Sequence, residues 1–452
     1  MTIAAISTPI GAGALGVIRI SGEDAFVIAD KVFVSVSGRK LTNMKGYTAA
    51  YGNIVENGEN IDSCVALVFR APNSYTGENV VELSVHGGTV AVKKTLRLVI
   101  SAGAIPAGPG EFTRRAYLNG KMNLAEAESV MKIISAKGEQ ALRASKNSLD
   151  GALSREIDEI CSELTNISAS LAIWTDSPDD EMFEPDMSSI EKRLIAGRDK
   201  LSRLLVNFEN GKAVTEGIST VICGKPNVGK STLMNMLAGC ERSIVTDIAG
   251  TTRDIVEETV RVGDVILRLS DTAGLHDTQD VVESIGVDRT IKKMDSSDFI
   301  IAVFDSSEMP DEDDEKLAEY VKKRPHIAVF NKSDKKKSPS FWSFQQGFEH
   351  FVFISAKQNE GFDELSDRIN EIFNTAGFDA SAPVLVNERQ YNCVSRASEI
   401  LQSVCDDIHS GITADAVNVG IDEAIGVLLE LTGRRASEDV VNEIFSKFCV
   451  GK

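Results

Sequence analysis

One stretch of the chain has the pattern of a loop that binds nucleotide phosphates. Residues Gly224–Thr232 read G-K-P-N-V-G-K-S-T, which matches the motif G-x-x-x-x-G-K-[ST]. An apolar run precedes the motif and a helix-like run follows it, as a strand, loop and helix would require. In that arrangement backbone N–H groups face the β-phosphate, Lys230 reaches the β- and γ-phosphate oxygens, and Ser231 ligates Mg²⁺. The motif therefore predicts a nucleotide site.

Two polar loops follow in the order that a nucleotide switch needs. Gly250-Thr251-Thr252-Arg253-Asp254 predicts the first switch, in which Thr252 supplies a second hydroxyl to Mg²⁺. Asp271-Thr272-Ala273-Gly274 closes a strand-like run and predicts the second switch. There Asp271 orients the Mg²⁺ shell and the Gly274 amide senses the γ-phosphate.

Two further motifs predict which base is bound. Asn331-Lys332-Ser333-Asp334 follows a run typical of a buried strand, and Ser355-Ala356-Lys357 ends the next strand-like run. The Asp334 carboxylate can accept two N–H bonds from guanine, whereas adenine offers no such donors and would leave the carboxylate unpaired. Each motif alone also occurs in ordinary turns. Together and in this order, the four motifs predict a G domain that binds GTP or GDP.

Length, charge and cysteines bound the rest of the molecule. A chain of 452 residues suggests about three domains. The 48 Lys and Arg against 67 Asp and Glu argue against a broad basic surface for nucleic acid, but they leave open a local basic patch or recruitment through a partner. The seven cysteines include no C-x-x-C pair, which indicates neither a disulfide framework nor a zinc site. With no basic leader and no long apolar run, we expect a soluble protein of the reducing cytoplasm that makes no membrane contact.

Periodicity divides the chain into regions. Residues 1–118 alternate strand-like and helix-like runs, which predicts an α+β domain. Apolar residues from Leu149 to Trp174 recur at steps of three and four, which predicts one buried face of a helix of about seven turns. Helical patterns return after the G domain. The two termini of a G domain lie close together, and a domain with neighbouring termini is easily inserted into another. We therefore expect a helical domain in two parts, 119–215 and 378–452, around an inserted Ras-like P-loop G domain at 216–377.

Motifs outside the phosphate loop point to one family. The terminal pentapeptide Phe448-Cys449-Val450-Gly451-Lys452 is the most specific, since many GTPases share the phosphate loop but few end this way. The other motifs are Thr8–Gly11, Val17–Gly22, Pro72–Glu78, His86–Gly88, Pro109–Ala116 and Gly250–Asp254. Through them the whole chain resembles the MnmE (TrmE, ThdF) family of tRNA modification GTPases.

The resemblance implies an activity and its partners. It implies a GTP hydrolase that acts with the flavoprotein MnmG (GidA), which carries FAD, in a heterotetramer. The pair adds an aminomethyl or carboxymethylaminomethyl group to carbon five of the wobble uridine of tRNA. The N-terminal domain of such a protein mediates homodimerisation and binds 5-formyltetrahydrofolate or another one-carbon tetrahydrofolate.

Matching motif positions imply the folate residues Arg19, Glu82, Lys121 and Lys452. Cations can hold the glutamate or formyl oxygens of the folate, and Glu82 can pair with pterin N–H groups. The alternatives are ordinary surface charges and, for Glu82, a structural salt bridge. Cys449 is a candidate catalytic thiol, although a lone cysteine is more often unreactive. His86 is left out of the site because a histidine among glycines is at least as often a turn residue.

The resemblance also implies how GTP is hydrolysed. Leu275 stands where a Ras-like enzyme has the glutamine that orients water. K⁺ bound when two G domains meet would neutralise developing charge instead, and Glu283 would position water through a second water; the alternative for Glu283 is an acid at a helix N-terminus. His276 departs from the arginine expected in the family. The implied K⁺ ligands are Asn227, Thr246, Ile248 and Thr251.

The full set of predicted nucleotide contacts combines the motifs with the resemblance. Lys230 is assigned to catalysis as well as to binding. The predicted GTP-binding residues are Asn227, Val228, Gly229, Lys230, Ser231, Thr232, Thr246, Asp247, Ile248, Ala249, Gly250, Thr251, Thr252, Asp271, Thr272, Ala273, Gly274, Asn331, Lys332, Asp334, Ser355, Ala356 and Lys357. Two rival functions stay open from the residues alone: a ribosome-assembly or translation GTPase, and a folate-dependent one-carbon transferase that its G domain regulates.

Overall fold

The computed structural model describes residues 1–176, 186–240, 258–269, 294–336 and 341–452. The strands of these ranges are β1 (Ile3–Ile6), β2 (Leu15–Ser21), β3 (Phe33–Ser35), β4 (Thr48–Glu56), β5 (Glu59–Phe69), β6 (Val80–His86), β7 (Ile105–Pro106), β8 (Ile218–Cys223), β9 (Glu258–Val262), β10 (Val265–Leu269), β11 (Phe299–Asp305), β12 (His326–Asn331) and β13 (Phe351–Phe353). The helices are α1 (Ala25–Val32), α2 (Thr89–Ser101), α3 (Glu111–Leu118), α4 (Leu124–Ser135), α5 (Glu139–Leu149), α6 (Ala152–Asp176), α7 (Met187–Thr215), α8 (Lys230–Cys240), α9 (Glu312–Val321), α10 (Phe341–Gln345), α11 (Phe362–Ile372), α12 (Glu388–His409), α13 (Ala414–Thr432) and α14 (Glu438–Ser446).

The chain forms two compact units, and neither is one continuous segment. Unit 1 comprises Met1–Met131, Leu149–Arg198 and Glu388–Lys452. Unit 2 comprises Lys132–Ser148 and Asp199–Asn387. The predicted G domain at 216–377 falls within unit 2, which also includes a helical segment from the first half of the chain. The domain boundaries given above stay predictions.

Unit 1 begins with a seven-stranded sheet of order β3-β4-β5-β6-β2-β1-β7. Neighbouring strands run antiparallel, except that β1 and β7 are parallel. Successive side chains of a strand point to opposite faces. In β2, Ile18 and Ile20 join the buried core beneath α1 and α2, whereas Arg19 lies over the rings of Tyr75 and Phe112 on the other face. This alternation presents Arg19 away from the helix-covered core.

The rest of unit 1 is helical. The predicted apolar face is buried in α6, where Leu153, Ile157 and Leu171 are all fully buried. The helix begins at Ala152, three residues later than the pattern predicted, because Gly151 adopts a φ of +83° that ends helical geometry. Helix α13 packs against both α6 and α12, so helices from distant parts of the sequence share one bundle.

A buried charge cluster joins α4 to α12 within unit 1. The Glu128 carboxylate is 6% exposed. It accepts hydrogen bonds from Nε and a second guanidinium nitrogen of Arg389, each at 2.7 Å, and from Nε2 of Gln390 at 2.6 Å. Since breaking such a buried pair leaves an uncompensated charge, this cluster fixes the pairing of the two sequence segments.

Unit 2 contains a six-stranded sheet of order β13-β12-β11-β8-β10-β9. Five strands are parallel, and β9 runs antiparallel to β10 at one edge. All seven residues of β11 are buried, as a central strand covered on both faces requires. Helices α8 and α11 cover one face, and α9 and α10 cover the other. The structure thus confirms the predicted fold class: an α+β region, a helical region and a Ras-like G fold.

Among the residues that the structure describes, no helix combines the length and the apolar character needed to cross a bilayer.

Candidate functional site

The phosphate loop lies between β8 and α8 and has the backbone that its glycines predict. Gly224 and Gly229 have φ values of +147° and +102°, in a region that other residues rarely adopt. A Cβ on Gly224 would lie 2.3 Å from the carbonyl oxygen of Val303, and one on Gly229 would lie 2.2 Å from Nδ2 of Asn331. Neither position has room for a larger residue. Asn227 also has a positive φ, +65°, and is exposed on the loop.

Lys230 begins α8 and folds back over the loop. Its Nζ donates to the carbonyl oxygens of Gly224 and Lys225, each at 2.7 Å. Burial lowers the pKa of the Lys230 amine, against a smaller opposing effect of Cys223. Ser231 and Thr232 follow in the first turn of α8 and are exposed. A helix N-terminus with exposed hydroxyls and a lysine is suited to phosphate oxygens, and the Ser231 hydroxyl is a hard oxygen ligand that fits Mg²⁺.

Asn331 connects the phosphate loop to the predicted base site. It ends β12 and is 3% exposed. Its Nδ2 donates to the carbonyl oxygen of Val228 at 2.9 Å, while its Oδ1 accepts from the backbone N–H of Ala356 at 3.0 Å. Asn331 therefore links the phosphate loop, the end of β12 and the loop that follows β13.

Asp334, whose carboxylate is predicted to bind guanine, is held in place by a residue of the neighbouring loop. Asp334 is exposed, and its Oδ1 accepts a hydrogen bond from Oγ of buried Ser355 at 2.7 Å.

Asp305 is another residue of this region, and it was not identified from the sequence. Asp305, at the end of β11, pairs with Nζ of Lys332 at 2.5 Å. Burial would raise the pKa of Asp305, but hydrogen bonds from Lys332 and Ser307 outweigh it and lower the pKa. The sequence signal that could have identified Asp305 is its position at the end of a buried parallel strand.

Many predicted nucleotide contacts lie outside the described residues. They include the proposed second Mg²⁺ hydroxyl and three of the four proposed K⁺ ligands. The residues concerned are Thr246, Asp247, Ile248, Ala249, Gly250, Thr251, Thr252, Asp271, Thr272, Ala273 and Gly274. Leu275, His276 and Glu283, which bear on the predicted mode of hydrolysis, also lie outside the described residues.

A second cluster of predicted residues lies on the sheet of unit 1. Arg19 in β2 faces Glu82 in β6 in the strand register. Its Nε and a second guanidinium nitrogen both lie 2.8 Å from Oε1 of Glu82. The guanidinium lies 5.3 Å from the ring centre of Tyr75 and 5.5 Å from that of Phe112. The alternative interpretation of Glu82 as a salt-bridge partner is thus part of the observed geometry.

The C-terminus reaches this same cluster. The backbone N–H of Phe112 donates to the Lys452 carbonyl at 3.1 Å, and Oγ of Ser7 donates to that of Gly451 at 3.1 Å. Gly451 has a φ of +100°, and a Cβ there would lie 2.2 Å from the Ile6 carbonyl oxygen. Burial lowers the pKa of the Lys452 amine, the charge of Arg19 lowers it further, and Glu82 opposes both.

The other two residues predicted in the N-terminal site have looser surroundings. Lys121 is exposed and its Nζ donates to the Pro72 carbonyl at 3.1 Å. Cys449 is an exposed free thiol. The structure therefore groups Arg19, Glu82 and Lys452, and it gives Lys121 a backbone partner on the loop that also carries Tyr75.

Comparison with known proteins decides the family. Residues 2–121 match the model of the GTP-binding protein TrmE N-terminus, and residues 124–449 match that of the MnmE helical domain. The chain belongs to the MnmE family. It is 40% identical to the tRNA modification GTPase MnmE of Streptococcus thermophilus strain CNRZ 1066 over 100% of this chain and 98% of the relative. It is 39% identical to that of Acetivibrio thermocellus over 100% of this chain and 99% of the relative. The family assignment identifies a GTPase of tRNA modification.

Solved structures with partial similarity include the G domain of the T. maritima FeoB iron transporter. It is 25% identical and covers 34% of this chain and 98% of that chain, with a TM-score of 0.26. Aquifex aeolicus Era bound to GDP.AlF4- is 26% identical and covers 40% of this chain and 66% of that chain, with a TM-score of 0.27. At these TM-scores the G fold of the MnmE family member rests on its own strand order and motifs.

Proposed function

We propose that this MnmE family member hydrolyses GTP in order to modify carbon five of the wobble uridine of tRNA, with a one-carbon tetrahydrofolate bound in unit 1. It acts as a homodimer with an MnmG-type flavoprotein, which carries the FAD. The product carries an aminomethyl or carboxymethylaminomethyl group. The one observation that carries the proposal is that the C-terminal segment ending at Lys452 is bonded beside the Arg19–Glu82 ion pair, in a chain that also has a complete phosphate loop.

The donor set of unit 1 fits a reduced folate. Two cations, Arg19 and Lys452, suit the carboxylates or formyl oxygen of such a molecule, and Glu82 suits the N–H groups of its pterin. The aromatic rings of Tyr75 and Phe112 give the same region apolar surface. When bound, the folate supplies the one-carbon unit. The chain's own residues bind and orient it, and Lys121 and the Cys449 thiol stand at its edge as weaker candidates.

In unit 2 the residues position the nucleotide and neutralise the charge of its phosphates. Lys230 binds the β- and γ-phosphate oxygens, and Ser231 with Thr252 holds Mg²⁺. Because Leu275 cannot orient water, Glu283 takes that task. Asn227, Thr246, Ile248 and Thr251 would hold K⁺, and this ion would supply positive charge where an arginine finger acts in other GTPases. Hydrolysis would accompany the meeting of two G domains. We propose the domains 1–118, 119–215, 216–377 and 378–452 for these tasks.

Calorimetric titration with 5-formyltetrahydrofolate tests the folate site. The Lys452→Gln variant removes one charge at the end of the chain, and loss of a charge-assisted hydrogen bond should weaken binding about tenfold or more. Its GTP hydrolysis should match that of the parent. The Lys447→Gln variant is the matched control, because Lys447 pairs with Glu443 on an exposed helix end. Equal folate affinity in parent and Lys452→Gln would remove Lys452 from the site.

A further inference from the structure

The second residue of the phosphate loop makes an ion pair that the motif does not require. Nζ of Lys225 lies 2.6 Å from Oδ2 of Asp311 and 2.7 Å from Oδ2 of Asp314. Both carboxylates are at the start of α9, and Asp311 is its N-cap. The Lys225 side chain is 25% exposed. A loop residue is therefore tied to the helix that follows β11.

The helix end that receives Lys225 is itself rigidly built. The Asp311 side chain accepts from the backbone N–H groups of Asp313 and Asp314, both at 3.1 Å. Asp314 in turn accepts from the backbone N–H of Asp311 at 3.2 Å, which completes a capping box. These reciprocal bonds fix both carboxylates before Lys225 adds to them.

Asp314 depends on Lys225 for charge compensation. The residue is 4% exposed, and its Oδ1 has no hydrogen-bond partner within the described ranges. A buried carboxylate that loses its cation is strongly unfavourable. Burial would lower the pKa of Lys225, but the hydrogen bonds that its ammonium donates to Asp311 and Asp314 raise it. Lys225 and the two carboxylates thus form a partly buried ion-pair cluster at the base of the phosphate loop, unlike the exposed ion pairs elsewhere on α9.

The backbone of Lys225 is also part of the phosphate site. Its carbonyl oxygen accepts from Nζ of Lys230, and the preceding Gly224 packs against the carbonyl of Val303. On the far side of the loop, Val228 is held by Asn331. The first turn of the loop, by contrast, has the Lys225 side chain as its link to α9.

We propose that Lys225 is a positioning residue for the nucleotide: its ion pair with Asp311 and Asp314 anchors the first turn of the phosphate loop, so that the loop amides and Lys230 meet the phosphates in a preformed arrangement. Preorganisation raises affinity because less ordering remains to be done on binding. The proposal rests on GTP and GDP binding by the G domain, as the family assignment requires.

Nucleotide binding of variants tests the anchor. Lys225→Met should raise the Kd for GDP and the KM for GTP about tenfold, because the loop loses its link to α9, while kcat at saturating GTP stays within about twofold. Lys225→Arg should restore the parental Kd, since a guanidinium can pair with both carboxylates. Lys316→Met is the control, because Lys316 pairs with Glu312 and Asp313 on the exposed side of the same helix. A parental Kd for Lys225→Met would overturn the proposal.

A double variant separates positioning from folding. Lys225→Met leaves the Asp314 carboxylate without its cation and should therefore lower the midpoint temperature of thermal unfolding. Adding Asp314→Asn removes that charge, while the amide oxygen can still accept from the Asp311 N–H. If Lys225 positions the nucleotide, the midpoint recovers and the Kd for GDP stays raised. If the Kd recovers together with the midpoint, Lys225 serves stability alone and the proposal is overturned.

Discussion

Asn331 shows how one buried side chain can serve two parts of a binding site. Its amide bonds both the phosphate loop at Val228 and the loop at Ala356, and a Cβ on Gly229 would collide with it. Since both polar ends are satisfied within the protein, the side chain is a fixed strut between the phosphate and base regions. Substitution at Asn331 therefore acts on two loops at once.

Asp334 is the residue that should choose the base. Asp334→Asn replaces a carboxylate that accepts two N–H bonds with an amide that can donate one. The variant should bind GTP more weakly, by about 1–3 kcal/mol, and should favour xanthosine triphosphate, whose oxygen replaces the amino group of guanine. Competition between the two nucleotides in an equilibrium binding assay measures the change. Undiminished GTP affinity in the variant would show that Asp334 does not contact the base.

At the scale of elements, the phosphate loop and the first switch should together create an ion requirement. Asn227 is exposed on the loop at a positive φ, and Leu275 offers no group to orient water. We expect GTP turnover to rise severalfold in K⁺ over Na⁺ at equal ionic strength, because K⁺ would neutralise charge that develops on the phosphates. Steady-state phosphate release in the two salts measures this. The same rate in both would contradict the K⁺ site.

Local sequence patterns predicted most of the elements that carry the site. Strand β8, the glycine loop and α8 follow from an apolar run, the G-x-x-x-x-G-K-[ST] motif and a helix-like run, all within about twenty residues. The apolar face of α6 was also predictable, because its spacing is local. The first residue of α6 could not be predicted, because the sequence alone does not show that Gly151 has a positive φ.

Contacts between distant segments could not be predicted in the same way. Asp305 and the carboxylates at the start of α9 belong to the nucleotide region only because parallel strands bring their ends together. The pairing of Glu128 with Arg389 joins residues that are 261 positions apart. The second cluster at Arg19 was found through the family resemblance, as its residues are otherwise ordinary charges on strands and loops.

At the scale of the whole molecule, the fold brings the two ends of the chain into one unit. Pro109 forms a β-bridge with Val450, and Gly110 donates its backbone N–H to the carbonyl of Cys449. The terminal residues therefore belong to the same structure as β1 and β2.

With a net charge of −19, the chain lacks the general attraction to nucleic acid that a basic protein has. We therefore expect the tRNA to be bound at local sites or through the proposed flavoprotein partner.

The most direct test of this account is the wobble nucleoside of tRNA from cells whose only copy of the protein lacks Val450–Lys452. Mass spectrometry of the digested tRNA should show unmodified wobble uridine, because the truncation removes the Lys452 charge from beside Arg19 and Glu82. The purified truncated protein should hydrolyse GTP at close to the parental rate, which separates loss of the unit 1 site from loss of the G domain. A normal level of modified wobble uridine in these cells would contradict the central claim.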